Sequence, residues 1–316
     1  VRTVYLGTSD FAATVLRRLA RSPHNPALVV TPPDSRQGRG RKVSPPPVAE
    51  LAGELGAELL QAANVNDEAA LERIRAAKPE AVLVCAFGQL IREPLLSLTE
   101  ILNIHPSLLP RWRGAAPIER AIMARDPRTG VCVMRLTAGL DSGPVALRAE
   151  VPLGEDEDYG TLAPKLAELG GDLLVEALDQ LADGTLTFTD QDEEAVTYAE
   201  KISAGDRRLD VTRSAEDLAA TVRGLTSHIG AYLELADGER LGVRKARAVG
   251  EGELEGGSET SPSAATTSAG WVAADGDALL IGTGDGLLRL ETVQPAGGKP
   301  MSAADYLRGH DLPKLS

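Results

Sequence analysis

Between Val1 and Ala86 the chain alternates apolar runs of strand length with segments whose apolar residues recur at helical spacing, and few folds accept that order. Val1 to Leu6 reads as a buried strand, and Gly7-Thr8-Ser9-Asp10 supplies a turn with N-cap candidates. Phe11, Val15, Leu16 and Leu19 then mark one helical face. Ala27 to Thr31 predicts a second strand, Val48 to Leu55 and Asp67 to Ala77 two more helices, and Ala81 to Ala86 a strand suited to a sheet centre. This repetition implies a Rossmann-like, doubly wound α/β domain. The first turn has no G-x-G-x-x-G, so it supports a dinucleotide only weakly.

Open α/β sheets keep their chemistry at the carboxyl ends of strands. Ile101 to Ile104 alternates like a short strand, which turns Asn103 and His105 to the same side. Pro106 lacks the N–H of a sheet ladder, so the strand should stop where the histidine has just been presented. The bland alternative is a strand-end histidine satisfied by nearby backbone. Thr129 to Leu136 and Val145 to Val151 predict two further strands, with Leu140-Asp141-Ser142-Gly143 between them. A carboxylate on that connection can be brought beside His105. Asn103, His105 and Asp141 are therefore the candidate catalytic residues. Ser107 sits among prolines without a nucleophile elbow, which argues against a covalent intermediate.

Asn-x-His-x-Ser-Leu-Leu-Pro at 103–110, followed by Leu140 to Gly143, resembles the signature of the folate-dependent formyltransferases. Ser107 to Pro117 resembles more narrowly the branch acting on methionyl-tRNA. The likeness continues at Gly7 to Phe11, Gly38 to Lys42, Leu166 to Gly170, Thr197 to Lys201, Gln294 to Gly297 and Met301-Ser302, nearly the whole chain. It implies transfer of a formyl group from 10-formyltetrahydrofolate to the α-amine of initiator Met-tRNA. It also implies that Phe87, Gly88 and Leu90, together with Ser107, Leu108, Leu109 and Pro110, hold the pterin, although Phe87 reads equally well as plain core. The chain departs from the family at Leu225 to Ala231, where an Asn-Pro-Trp-Pro-like stretch is usual, and at Ser142, where Thr is common.

Formal net charge is −13, which argues against indiscriminate nucleic-acid coating. Any RNA contact must be local. Arg36, Arg39, Arg41 and Lys42 lie among glycines between the second strand and its helix, in what reads as an exposed loop, and are the candidate tRNA-binding residues. The resemblance places this loop toward the tRNA acceptor stem. Arg244, Lys245 and Arg247 are weaker candidates for phosphate. The acidic patches Glu155 to Asp158 and Asp190 to Glu194 read as loop solvation. Cys85 and Cys132 sit in apolar runs and read as buried, reduced thiols, and no metal-ligand spacing is present. The chain opens on a strand, with no charged leader and no apolar run of bilayer length, so a cytoplasmic protein is expected; a monomer is expected as well.

Thr161 to Leu181 predicts a long amphipathic helix carrying Leu162, Leu166, Leu169, Leu173 and Leu181. The βα pattern then gives way to a linker. The expected organisation is a catalytic domain at 1–189, a linker at 190–209 and a tRNA-binding domain at 210–316. In the last, Ser214 and Asp217 predict a capped helix, and short strands at Ala231 to Leu235, Arg240 to Ala248, Trp271 to Ala273, Ala278 to Thr283 and Leu287 to Val293 suggest an OB-like β-barrel. Gly250 to Gly270 reads as a flexible loop. Two rivals stand against tRNA formylation. A formyltransferase for an amino sugar or glycinamide ribonucleotide, or a folate hydrolase, would share the same three residues. A non-catalytic RNA-binding protein would not need them.

Overall fold

The computed structural model describes residues 1–37, 42–250 and 268–316, apart from the side chains of residues 36, 37 and 42. The chain divides into two compact units. The first holds Val1–Pro117, Arg128–Pro152 and Ala163–Ala199; the second holds Ile118–Pro127, Leu153–Leu162 and Glu200–Ser316.

In the first unit, β1 (Thr3–Gly7), α1 (Asp10–Leu19) and β2 (Leu28–Thr31) lead into a hairpin of β3 (Ser35–Gln37) and β4 (Lys42–Ser44). Along the chain then come α2 (Pro47–Leu55), β5 (Leu59–Gln61), α3 (Glu68–Ala76), β6 (Ala81–Cys85), β7 (Glu100–His105), β8 (Arg113–Gly114), α4 (Pro117–Met123, which past Pro117 belongs to the second unit), β9 (Arg128–Arg135), β10 (Val145–Pro152), α5 (Tyr159–Ala182, of the first unit from Ala163) and β11 (Tyr198–Ala199). The main sheet runs β10-β9-β7-β6-β1-β2-β5. Neighbours from β5 to β7 are parallel, whereas β9 and β10 are antiparallel additions beside β7. Parallel strands need both faces covered, which explains the wholly buried β1, β2 and β6. Val4, Leu6, Leu28, Val82 and Ile101 pack on one face with Leu71 and Ile74 of α3. On the other, a Cβ on Gly170 of α5 would stand 3.0 Å from Ile104 and 3.3 Å from Val131, so the bare backbone of Gly170 lets α5 approach β7 and β9 closely.

Two predictions need correction here. Part of the expected loop after β2 is the β3–β4 hairpin, with Arg36 opposite Val43 and Gln37 opposite Lys42. β5 was not anticipated either, because three half-exposed residues carry little periodic signal. Cys85 and Cys132 are buried and unpaired by disulfide; burial pushes their thiols up to about 12 and about 11.

The second unit contains α6 (Ala204–Arg207), α7 (Ala215–Leu225), β12 (Ala231–Glu234), β13 (Arg240–Val249), β14 (Val272–Asp275), β15 (Ala278–Gly282), β16 (Leu287–Gln294), β17 (Met301–Ser302) and α8 (Ala303–Gly309). Its antiparallel sheet has the order β12-β13-β16-β15-β14, with β17 on β16. Leu218, Val222 and Leu225 of α7 and Ala303 and Tyr306 of α8 pack on Leu233, Leu241, Val243, Leu279, Ile281 and Leu290. The expected barrel is not closed among the described residues. The open edge of β12 is taken instead by Arg208 and Leu209, through Leu209 N–H to the Tyr232 carbonyl at 2.9 Å, and by Ser316 N–H to the Glu234 carbonyl at 3.1 Å. Most of the predicted 250–270 loop lies outside the described residues. No helix among the described residues is long and apolar enough to cross a membrane.

Ser203 and Asp206 form a capping box at α6, and Arg120 donates to Asp206 at 2.6 Å. That hydrogen bond, helped by those from Ser203, holds the Asp206 carboxyl well below the usual carboxylate range. A depressed folded-state value contributes stability above the ordinary carboxylate range and loses it as pH falls toward the depressed value. Asp206→Asn should therefore cost about 1–2 kcal/mol at pH 7, the scale of a lost cap or charge-assisted bond. Urea unfolding at pH 7 and again near pH 3 should show the gap from the parent chain narrowing at the lower pH.

Candidate active site

Register places Asn103 beside Val84 of β6 and opposite Met134 of β9, and His105 opposite Cys132. Directly paired residues share a sheet face, so Asn103, His105, Met134 and Cys132 all project to one side. Leu109, arriving from the loop after β7, packs on Cys132 and Met134 and roofs that side. Asn103 is 8% exposed and its amide has no hydrogen-bond partner among the described residues. An amide so placed is open to donate a hydrogen bond.

His105 is nearly buried, and its Nε2 lies 2.8 Å from the carbonyl oxygen of Trp112. A carbonyl only accepts, so Nε2 carries a proton. Nδ1 faces Asp141 Oδ2 at 3.6 Å. The same oxygen accepts the Gly114 N–H at 2.8 Å. Trp112 and Asp141 both take positive φ, +65° and +44°, which is costly for a tryptophan and mild for an aspartate. Strain at these two residues puts one carbonyl on Nε2 and one carboxylate near Nδ1.

The 110–115 backbone is zipped to the segment near Thr197. Trp112 N–H donates to Thr197 Oγ1 at 2.9 Å, Arg113 N–H to the Thr197 carbonyl at 2.9 Å and Ala115 N–H to the Ala199 carbonyl at 2.8 Å. Ser107 uses its hydroxyl to tie the loop, donating to the Arg111 carbonyl at 2.6 Å. Arg113, 3% exposed, donates to Glu193 at 2.8 Å and to Gln191 Oε1 at 3.0 Å. Asp190 to Glu194 therefore does more than solvate a loop, because two of its side chains hold a buried arginine. Nothing local in the sequence signals this, since the partners stand about 80 positions apart.

The seven candidate pterin residues divide. Phe87 joins the core with Val84 and Ile91, Leu109 packs under the loop, and Ser107 is engaged as above. Gly88, at φ +79°, has nothing within 4 Å of where a Cβ would stand. Leu90 is 63% exposed, and Leu108 and Pro110 are partly exposed. The Phe87 carbonyl accepts the Thr8 hydroxyl at 2.7 Å, which joins the loops after β1 and β6. Of the four loop cations, Arg36 and Lys42 sit on the hairpin strands, while Arg39 and Arg41 lie outside the described residues. Lys245 and Arg247 pair with Glu291 at 2.8 Å and 3.5 Å, and Arg244 donates to Gln294 at 3.0 Å. In the divergent 225–231 stretch, His228 stacks on Tyr159 with centroids 3.6 Å apart and lies 3.0 Å from Glu119, so an imidazole supplies a flat ring there. No group of His, Cys, Asp and Glu among the described residues is arranged to hold a metal.

Comparison with known proteins shows the family of this chain. The family model described as formyl transferase matches residues 1–178, and that of the formyl transferase C-terminal domain matches 201–311. Proteins named methionyl-tRNA formyltransferase from Methylobacillus flagellatus and Chromohalobacter salexigens are 39% and 42% identical, each over 99% of this chain and over 97% and 96% of their own length. Among solved structures, HypX from Aquifex aeolicus in complex with tetrahydrofolic acid shares the fold at a TM-score of 0.63 and 18% identity, and the chain spans 51% of its length. The sugar 3N-formyl transferase WlaRD gives a TM-score of 0.65 at 12% identity, covering 92% of this chain and 97% of that one.

Proposed function

The chain belongs to the formyltransferase family, and from that membership we propose that it moves the formyl group of 10-formyltetrahydrofolate to the α-amine of methionine on initiator tRNA. The observation that carries the reading is the placement of Asn103, His105 and Asp141 around one strand end, in a chain whose likeness to methionyl-tRNA formyltransferases runs through both units. The donor supplies an activated one-carbon acyl group. The reading sets its pterin against the open backbone of Gly88 and the exposed apolar surface of Leu90 and Leu108.

Attack by a neutral amine leaves negative charge on the formyl oxygen and positive charge on nitrogen. Asn103 meets the first charge with its unpartnered amide N–H. His105, with Nε2–H committed to Trp112, turns Nδ1 toward Asp141. Asp141 orients that ring and takes up the amine proton, directly or through water. The carbon–N10 bond then breaks as N10 receives a proton, leaving the formamide and tetrahydrofolate. The reading sets a monomer in the cytoplasm, where aminoacylated tRNA is met.

Incubation of the protein with 10-formyltetrahydrofolate and Met-tRNA should yield acid-stable formyl-methionine. A protein that leaves Met-tRNA untouched but formylates a nucleotide-linked amino sugar would overturn the assignment. Replacing Arg39 and Lys42 by alanine should raise KM for Met-tRNA and flatten its salt dependence by roughly 0.7–0.9 per lost phosphate contact, with the folate KM unchanged.

A further inference from the structure

We propose that Gln191 is a positioning residue for the Asp141 carboxylate, an inference that rests on the reaction assigned above. Its side-chain amide nitrogen donates to two carbonyls of the loop between β9 and β10, Asp141 at 2.8 Å and Gly143 at 2.7 Å. Its oxygen accepts Arg113 Nε at 3.0 Å. Both ends of one amide are thus used, and only an amide both donates and accepts in this way.

The bonds close a ring through the reaction centre. Asp141 Oδ2 holds the Gly114 N–H, Gly114 follows Arg113, Arg113 holds Gln191, and Gln191 returns to the Asp141 carbonyl. Asp141 sits at φ +44°, a left-handed conformation that is mild for an aspartate and that the surrounding contacts fix in place. Gly143 cannot help by packing, because a Cβ there would lie 1.9 Å from the Arg135 carbonyl oxygen. The two bonds from Gln191 hold the backbone of this turn from outside it. Arg113 is in turn anchored by Glu193, whose carboxyl is held below its usual range by the Arg113 hydrogen bond. A residue 50 positions from Asp141 thereby sets how far the carboxylate stands from His105 Nδ1.

The test uses Gln191→Glu, which keeps an acceptor for Arg113 but removes the donor, and Gln191→Met, which fills the volume without either. Both should lower kcat by about 10- to 100-fold, as displacement of a reacting group by an ångström does. KM for Met-tRNA and for the folate should stay within about twofold. In an Asp141→Ala background, Gln191→Glu should cost nothing further, since the two act as a unit. A readout independent of turnover is the imidazole ¹⁵N spectrum of His105, in which the Nδ1 resonance should move and the Nε2 resonance, held by Trp112, should not. Full turnover in both variants, an added loss in the Asp141→Ala background, or an unmoved Nδ1 resonance would each overturn the proposal. A wild-type protein inactive on Met-tRNA would instead strike the assigned reaction, and the Nδ1 resonance would still decide the role of Gln191.

Discussion

Asn103→Ala and His105→Ala should each lower kcat for formyl transfer by about 10²- to 10³-fold while both variants fold, the thermal midpoint unchanged for Asn103→Ala and lowered for His105→Ala, which loses a buried hydrogen bond. The magnitude is that of one lost oxyanion donor in a desolvated site. Asn103 makes no side-chain hydrogen bond among the described residues, so its removal leaves no ground-state partner orphaned. The cost falls on the transition state, and KM should move little. His105→Ala differs in one respect, because it removes the Nε2–H that donates to the Trp112 carbonyl at 2.8 Å. His105→Asn should restore part of that bond without a titratable atom at the Nδ1 position, and should remain as slow as the alanine variant. Single-turnover kinetics with pre-bound Met-tRNA would separate chemistry from binding. Wild-type rates in both alanine variants would place the chemistry elsewhere.

The second large effect is expected from Gly114→Ala. Gly114 has φ +124°, a region L side chains rarely adopt, and a Cβ there would stand 2.7 Å from the Ala199 carbonyl oxygen. That oxygen is already the acceptor for Ala115 and Ala116, so it cannot withdraw without breaking the contact between β8 and β11. The Gly114 backbone must shift instead, carrying away the N–H that holds Asp141 Oδ2 at 2.8 Å. Strain of this kind costs on the order of 1–3 kcal/mol, and misplacement of the carboxylate should take about 10² from kcat. Gly184→Ala is the matched control. Gly184 also has positive φ, +68°, but open space around its Cβ position, at the end of α5. It should lose about 1 kcal/mol of stability and keep its kcat. Equal kcat for the two variants would show that Gly114 matters only to folding.

Much of this site could be read without coordinates because its first two members obey a local rule. A strand has a period of two, so Asn103 and His105 had to share a face, and Pro106 had to end the ladder beyond them. The same kind of reasoning placed the helices, whose apolar faces and caps are written within a dozen residues, as with Ser214 before α7. The strands flanking Asp141 were equally legible: β9 lies one residue earlier than expected, and β10 starts as expected and runs one residue longer.

What tertiary structure alone decided are the relations that no local period encodes. Whether Phe87 faces a ligand or the core depends on what lies under β6, and the space is filled by Val84, Ile91 and α3. The second sheet could have closed on itself by its strand pattern, yet Arg208, Leu209 and Ser316 take the edge of β12 first. The tautomer of His105 is set by a carbonyl seven residues on, aimed by a tryptophan at φ +65°. Asp141 meets its ring only because β9 and β10 return beside β7, and Gln191 and Arg113 meet only because β11 pairs with β8. Sequence determines which groups are available and which way neighbours point, since those follow from covalent geometry over a few residues. The distances that turn those groups into a site are set by chain closure over tens of residues, and packing alone resolves them.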